Sequence, residues 1–548
     1  LVELSFETII SCFFLQNELY FNFSNDSQLA NNSPQRGHSM TEAHMEIGGI
    51  DLVIVIAYLA AIPIFGFYFK KYVKTEKDYF LAGKMLPWWV ISMSIIGTNI
   101  GAYDYMGAAG GAYRFGIAQA HYEWIGAIPA IILSALLFVP YYWKAGVYTV
   151  PEFLGKRYNT AVRVIEALLW GSFLACVLGV FFWAAGLMLN EYLGIPVELS
   201  LIITAVIVGI YTITGGLAAV AMTDVVQLLV MFIGGVALTI LGLWTVGGWS
   251  GLVDKIVPTH PQHLKLFLPL DNPTYPWLGM IFGLALVLSP AWWCCHQAII
   301  QRTLGARSEW DAKAGMMFAA FPKMLIPVLV VLPGLLALAL NPNLAGPDMD
   351  KAFPWLIKNL LPTGLAGLVF AAFMAALISS VDSTLNSAAT LWTRDIYQRF
   401  FVKKASDKHY LNVGRILTLV FVLWAILFAP ITKKFPGIYV AMQTLLSIFQ
   451  GPTFAITLLG IYWKRANQWG GLLGLLGGVG ISASLFFFTD WSFLYIAWWS
   501  FVGALLITVI VSLLTKPEPI EKLEGLVYGL VIKDESIQDA LKKRAEME

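Results

Sequence analysis

Thirteen apolar runs recur along the chain, most of them about twenty residues long, and they leave it few ways to fold. They fall near 50–69, 86–110, 117–141, 163–189, 197–214, 222–246, 277–300, 317–340, 365–391, 411–431, 437–462, 469–488 and 491–514. About twenty apolar residues in a helix match the roughly 30 Å hydrocarbon core of a bilayer. In lipid, every backbone N–H and C=O must be satisfied within its own segment, so each run is predicted to be a transmembrane helix. Composition agrees. The chain is 58% hydrophobic and 13% charged, whereas a soluble domain is about a quarter charged. The expected fold class is an all-α membrane protein with about 13 transmembrane helices. A net charge of +1 gives no reason to expect nucleic acid as a partner. Cys12, Cys176, Cys294 and Cys295 lack zinc-type spacing and read as buried thiols.

Three segments follow. Residues 1–44 open apolar, turn Asn- and Ser-rich, and read as a non-functional leader or disordered segment. Residues 45–514 form the transmembrane domain, and 515–548 read as a solvated cytoplasmic tail. Lys and Arg favour cytoplasmic loops. They cluster in alternate loops: Lys70, Lys71, Lys74, Lys77 and Lys84; Lys144, Lys156, Arg157 and Arg163; Arg302, Arg307 and Lys313; Arg394, Arg399, Lys403, Lys404 and Lys408; Lys464 and Arg465. Lys433–Lys434 is a local exception. This pattern predicts a multi-pass protein of the cell (inner) membrane, with its N-terminus outside and its C-terminus in the cytoplasm. The proline-rich outer loop 247–276 is expected to lie across the bundle.

Two runs are unusual. Run 86–110 holds Gly97, Asn99, Gly101 and Asp104, then Gly107, Gly110 and Gly111; run 277–300 holds Gly283, Ser289-Pro290 and His296-Gln297. With the opening span set aside, they are the first and sixth spans. Interrupted helices at corresponding positions of two halves are the sequence mark of an inverted-repeat transporter with a mid-membrane site. Close helix packing would explain the glycines, but not Asn99 or Asp104.

Intramembrane charge costs roughly 2.5–3.5 kcal/mol on insertion scales, so such residues face a cavity or a partner. The candidates are Asp104, Glu123, Asp224, Lys323 and Asp382, with uncharged Gln443 and Asn386. Lys323 is the lone cation deep in a span and needs a carboxylate or other acceptor. A Glu123–Lys323 pair beside aromatic residues suits sugar hydroxyls and a sugar's C–H face; a structural ion pair is the competing reading. Ala376, Ser379 and Ser380 share a helix face and can offer oxygens to a small hard cation, with carbonyls of an unwound Gly97–Ile100 turn. Helical serines also bond back to their own backbone, so this run alone does not decide. His121 and His296 have no convincing metal-ligand set around them and read as packing or pocket-edge residues. With no nucleophile–base pair evident, an enzyme is not expected.

Specific stretches go further: Asp78-Tyr79-Phe80-Leu81-Ala82-Gly83-Lys84, Leu86-Pro87-Trp88-Trp89, Tyr148-Thr149-Val150-Pro151-Glu152-Phe153, Gly215-Gly216-Leu217 with Thr223-Asp224 and Gln227, Ile300-Gln301-Arg302-Thr303, and Asn386-Ser387 with Asp395-Ile396-Tyr397. On these the chain resembles the sodium/solute symporter family, within it the sodium/glucose cotransporter branch, and especially the bacterial sodium/galactose symporters. The resemblance runs from about Asp51 to Leu514. It implies a LeuT-type fold with two inverted five-helix repeats and alternating access. It implies Na+ as coupling ion, held by Gly97, Ile100, Ala376, Ser379 and Ser380. Asp224 and Ser383 match positions of a second sodium site, which Asp382 would strengthen, giving two sodium ions per solute. For the solute, Asn99, Glu123, Lys323 and Gln443 match sugar-contacting or supporting positions. Asp104 stands where that pattern has Gln, Ser289 where it has Asn, Trp292 where it has an inner capping Tyr, and Tyr439 where it has Phe. The expected function is sodium-coupled import of a small polar solute, a sugar or polyol. The alternatives are an amino acid, amine or carboxylate as solute, or a membrane solute sensor. Lipid and solute are the expected partners, and nothing points to an obligate protein partner.

Overall fold

The computed structural model describes residues 48–530, apart from 70–74, 345 and 436. The leader proposed for 1–44 and residues 531–548 lie outside the described residues. Every one of the thirteen runs falls on helix. We number the bundle helices α1 (Gly49–Phe69), α2 (Trp88–Asn99), α3 (Asp104–Ala145), α4 (Thr160–Leu193), α5 (Val197–Val246), α6 (Trp277–Cys295) and α7 (Gln297–Leu304). There follow α8 (Glu309–Leu340), α9 (Leu365–Phe400), α10 (Asp407–Lys434), α11 (Ile438–Ser447), α12 (Gln450–Tyr462), α13 (Gln468–Phe488) and α14 (Phe493–Leu514).

Among the described residues, nine helices are individually long and apolar enough to cross a bilayer, ten when α11 and α12, bent by 47°, count as one. The expected thirteen exceed this for a physical reason: several spans are interrupted. Two further runs are the shorter apolar helices Gly49–Ile62 and Val197–Gly209. The last is α2, cut from the rest of its run by a break. Runs 197–214 and 222–246 are not parted by a loop, because helix continues from one to the other with Gly216 as the single non-helical residue (φ 58°, ψ −173°). A Cβ there would lie 2.8–3.0 Å from atoms of Tyr79, two of them backbone. The left-handed conformation and the close approach together require glycine.

Both predicted interruptions exist, and the second sits six residues past Pro290. α2 ends at Asn99, and Ile100 is extended (φ −89°, ψ 100°). α6 ends at Cys295, and His296 is extended (φ −69°, ψ 118°). Pro290 instead lies in the first turn of a new α-helical stretch, where its missing N–H costs little. Each five-run half therefore opens with a broken helix. α9 runs through the centre, nearly all of it buried, and packs on α1, α2, α4, α5 and α10. α10 turns the apolar stripe Ile416, Leu419, Val420, Leu423 and Leu427 outward, as a lipid-facing helix does.

Ion pairs gather among the basic loops, two between segments and one, Arg307 with Asp311, within its own. Lys144 meets Glu309 at 3.4 Å, Arg307 meets Asp311 at 2.7 Å, and Arg163 meets Asp395 at 2.6 Å. Two cations counted as loop residues belong elsewhere. Arg157 is buried and donates to the carbonyls of Gly460, Trp463 and Ala466. Arg302 is buried on α7 inside the bundle. The tail also departs from expectation. Lys522 Nζ donates to the Tyr158 carbonyl (2.6 Å), the Tyr528 N–H donates to the Ile461 carbonyl (2.8 Å), and Leu523 and Val527 are buried. Its first part is packed against the bundle rather than solvated. Loop 247–276 does cross the opposite end: Ile117 N–H donates to His263 O (2.7 Å), and Tyr275 OH donates to Gln119 (2.7 Å). Cys294 and Cys295 are buried free thiols, Cys176 is a half-buried one, and Cys12 lies outside the described residues.

Candidate solute and ion sites

The breaks gather polar groups into two adjoining places. One is a cavity lined by Asn99, Glu123, Ser289, Trp292, Lys323, Tyr439 and Gln443. These are all the solute-binding residues expected from sequence except Asp104. Lys323 stands where α8 is interrupted between Lys323 and Ile326, beside Pro322. There its ammonium group pairs with the Glu123 carboxylate and donates to Asn99 Oδ1. Lys323 and Glu123 are only 3% and 4% exposed. One contact thus joins α2, α3 and α8, and a buried charge finds both its counter-ion and a hydrogen bond. The Lys323 ammonium also lies 5.8 Å from the Trp293 ring centre.

Aromatic rings close the cavity on two sides. Tyr439 packs edge-on to Tyr122 (4.9 Å) and tilted against Tyr103 (5.9 Å). Trp292 is stacked on His296 at 4.0 Å. His296 lines an adjoining pocket with Asn99 and Trp292, in keeping with its reading as an edge residue. His121 packs away from the cavity, its Nε2 2.7 Å from the Leu266 carbonyl. Asp104 turns back on the break, its Oδ2 accepting the Gly101 N–H at 2.8 Å, and lines neither described cavity. Tyr103, Tyr122, Trp293 and Gln450 also line the main cavity and were missed. Tyr103 lies four residues from Asn99, and Tyr122 adjoins Glu123. That spacing could have found the first of them.

The second place lies where α2 meets α9. Ser380 Oγ is within hydrogen-bond reach of the carbonyls of Thr98 (3.0 Å) and Ile100 (3.4 Å), the latter beside the break. Gly97 lets α5 approach: a Cβ there would lie 3.2 Å from the Asp224 carbonyl and 3.5 Å from Ser379 Oγ. Ala376, Ser379 and Ser380 are buried on α9. Gly97, Ile100, Ser379 and Ser380 thus come together, with Ala376 one turn before Ser380 on α9, and the hydroxyl and carbonyl oxygens there suit a hard cation.

Asp224 accepts hydrogen bonds from Ser379 (2.5 Å), Ser94 (2.5 Å) and Thr98 (3.4 Å), and pairs with Arg302 at 3.1 Å. The Arg302 guanidinium also donates to Ser383, to Ser94 (2.7 Å) and to its own helix at Ala298. Ser383 meets Thr98 at 2.8 Å. Of the three residues expected at a second sodium site, Asp224 and Ser383 are thus joined through Arg302. Asp382 precedes Ser383 on α9 and is fully buried. Ser94, Thr98 and Arg302 were missed. Thr98 lies between Gly97 and Asn99, and Ser94 precedes it by one turn.

Known proteins resemble this chain over most of its length. The family described as "Sodium:solute symporter family" matches residues 79–478. The sodium/glucose cotransporter of Vibrio parahaemolyticus is 36% identical over 456 residues, covering 78% of this chain and 84% of that protein. Sodium/glucose cotransporter 1 of Oryctolagus cuniculus is 31% identical, covering 88% and 81%. Sodium/myo-inositol cotransporter 2 of Homo sapiens is 32% identical, covering 78% and 68%. A solved structure described as the substrate-bound outward-open state of a Na+-coupled sialic acid symporter superposes with a TM-score of 0.77 at 24% identity, over 86% of this chain and 99% of that one. The architecture is the LeuT-type fold, two inverted five-helix repeats within an all-helical membrane protein.

Proposed function

This chain belongs to the sodium:solute symporter family, and from that premise we propose that it imports a hydroxyl-rich solute, a sugar or a polyol such as inositol, by alternating access. It is a multi-pass membrane protein and a sodium-coupled symporter, a transporter rather than an enzyme. The observation that carries the solute class is the Lys323–Glu123–Asn99 contact inside an aromatic-walled cavity. Its donors and acceptors match hydroxyl groups, and its rings match the apolar face of a sugar. Relatives named for glucose and for myo-inositol support the same class. Glu123 is the one carboxylate lining that cavity among the described residues, and Lys323 already neutralises it. That favours a neutral solute over an amine.

In this reading Na+ binds among the oxygens of Gly97, Ile100, Ala376, Ser379 and Ser380. It joins broken α2 to α9 and so favours the arrangement in which Asn99, Glu123, Lys323 and Gln443 receive solute. Each ligand then raises the other's affinity by the same factor. An inward membrane potential contributes about 2.3 kcal/mol per charge per 100 mV. The basic end of the bundle faces the cytoplasm, the N-terminus lies outside, and the location is the cell (inner) membrane. A second ion at Asp224, Asp382 and Ser383 completes the reading, at two sodium ions per solute. Because Arg302 holds Asp224 and Ser383, that ion enters only as the guanidinium withdraws. A measured stoichiometry of one removes it.

The test is Ser380→Ala in proteoliposomes. Loss of a ligating hydroxyl is expected to weaken sodium activation of uptake by tenfold or more, with the protein still folded. Unchanged sodium dependence would show that the ion binds elsewhere.

A further inference from the structure

A second group of polar side chains lies beyond the cavity, toward the basic end of the bundle, where α4, α6 and α12 meet. Glu166 on α4 is fully buried. Its Oε2 accepts from Thr453 on α12 (3.1 Å), while its Oε1 has no hydrogen-bond partner among the described residues. Trp170, one turn along α4, is fully buried, and its indole N–H has no hydrogen-bond partner among the described residues. It packs edge-on against His296 (5.0 Å) and Phe449 (5.0 Å). Among the described residues His296 Nδ1 has no hydrogen-bond partner, nor has either polar atom of Gln450, which is buried, lines the central cavity and precedes Thr453 by one turn of α12.

Native proteins rarely leave buried polar atoms unmatched, and each one asks for an explanation. Here five of them fall in one seam: a carboxylate oxygen, an amide with both its donor and its acceptor, an indole N–H and an imidazole nitrogen. The seam begins at the cavity wall, at Gln450, and the stacked Trp292–His296 pair stands at its head. Residues 166 and 170 share a face of α4, and 450 and 453 share a face of α12. The cluster is therefore built by α4 and α12, with His296 supplied from the break after α6.

We propose that this seam is a second solute subsite, which a polyhydroxylated solute occupies on its way between the central cavity and the basic end once the Trp292–His296 stack parts. Gln450 and Glu166 accept from hydroxyl protons, Gln450 and Trp170 donate to hydroxyl oxygens, and the Trp170 ring faces the C–H surface. The mixture of donors and acceptors suits neutral hydroxyl groups better than an anion or a compact cation. The ligand class rests on the sugar or polyol reading above; the position of the subsite does not.

The experiment measures half-saturation separately from the two faces of the membrane, in intact cells and in inside-out vesicles carrying the full chain. The labelled probes are glucose, galactose, myo-inositol, proline and choline. Glu166→Gln replaces one carboxylate oxygen by an amide nitrogen at nearly constant shape, Trp170→Phe removes the indole N–H together with one ring, and neither residue lines the central cavity. With the probe that the parent accumulates, both substitutions are expected to raise half-saturation at the basic face at least fivefold. At the opposite face, and for sodium, the change is expected to stay within twofold. Equal changes at both faces, or none at either, overturn the subsite and leave the seam a hydrated packing region. A parent that accumulates proline or choline but no sugar or polyol overturns the ligand class together with the substrate reading. The asymmetry measured with that probe then decides the subsite's position on its own. Accumulation of no probe overturns both readings.

Discussion

Asp224→Ala is expected to destabilise the folded protein by about 3–5 kcal/mol, because it strands Arg302 as an uncompensated charge in the bundle. Both side chains are wholly buried, and the carboxylate also holds Ser94, Thr98 and Ser379. α2, α5, α7 and α9 meet in this one cluster, so its loss loosens both repeats at once. Unfolding of large membrane proteins is commonly irreversible, and the appropriate readout is half-life at fixed temperature in detergent. A strong reduction is expected for Asp224→Ala and a smaller one for Asp224→Asn. The paired substitution Asp224→Ala with Arg302→Met should recover much of the loss, since the stranded charge is gone. Additive losses would show that the two residues are not coupled as their 3.1 Å contact implies.

Lys323→Met is expected to have the largest effect on transport. The ammonium group serves two partners, Glu123 and Asn99, at the cavity wall. A hydrogen bond to a charged group contributes about 1.5–3 kcal/mol, so solute affinity should fall tenfold or more, with sodium activation changed much less. Glu123→Gln paired with Lys323→Met removes both charges and should restore stability without restoring uptake. Recovery of uptake in the double substitution would mean that the pair only holds helices together.

Much of this was legible because lipid makes strong demands on sequence. An apolar run of bilayer length must be helical, and a lysine within one must find a partner, so Lys323 and Glu123 could be paired before their contact was seen. Asn99 and the glycines likewise marked the break at Ile100. What escaped was whatever depends on where a side chain turns. Arg302 lies at the end of an apolar run beside Arg307 and reads as a loop cation; only the crossing of α7 with α2, α5 and α9 carries it inward to Asp224. Asp104 lies five residues after Asn99 and reads as a pocket carboxylate, yet the break leaves the Gly101 N–H without its helical acceptor and the side chain turns to it. Arg157 and Lys522 read as solvated charges. They are held instead by carbonyls at helix ends, the groups an α-helix always leaves unsatisfied.

The central claim is that a sodium gradient drives uptake of a hydroxyl-rich solute. Its most direct test is accumulation of labelled glucose, galactose and myo-inositol by proteoliposomes holding the purified chain, with and without an inward sodium gradient. The expected result is accumulation of at least one of them above its equilibrium level, abolished when sodium is equal on both sides or replaced by potassium. Sodium-driven accumulation of an amino acid or amine, with none of these three, would contradict the solute class. Uptake of any solute at the same level without a sodium gradient would contradict the coupling itself.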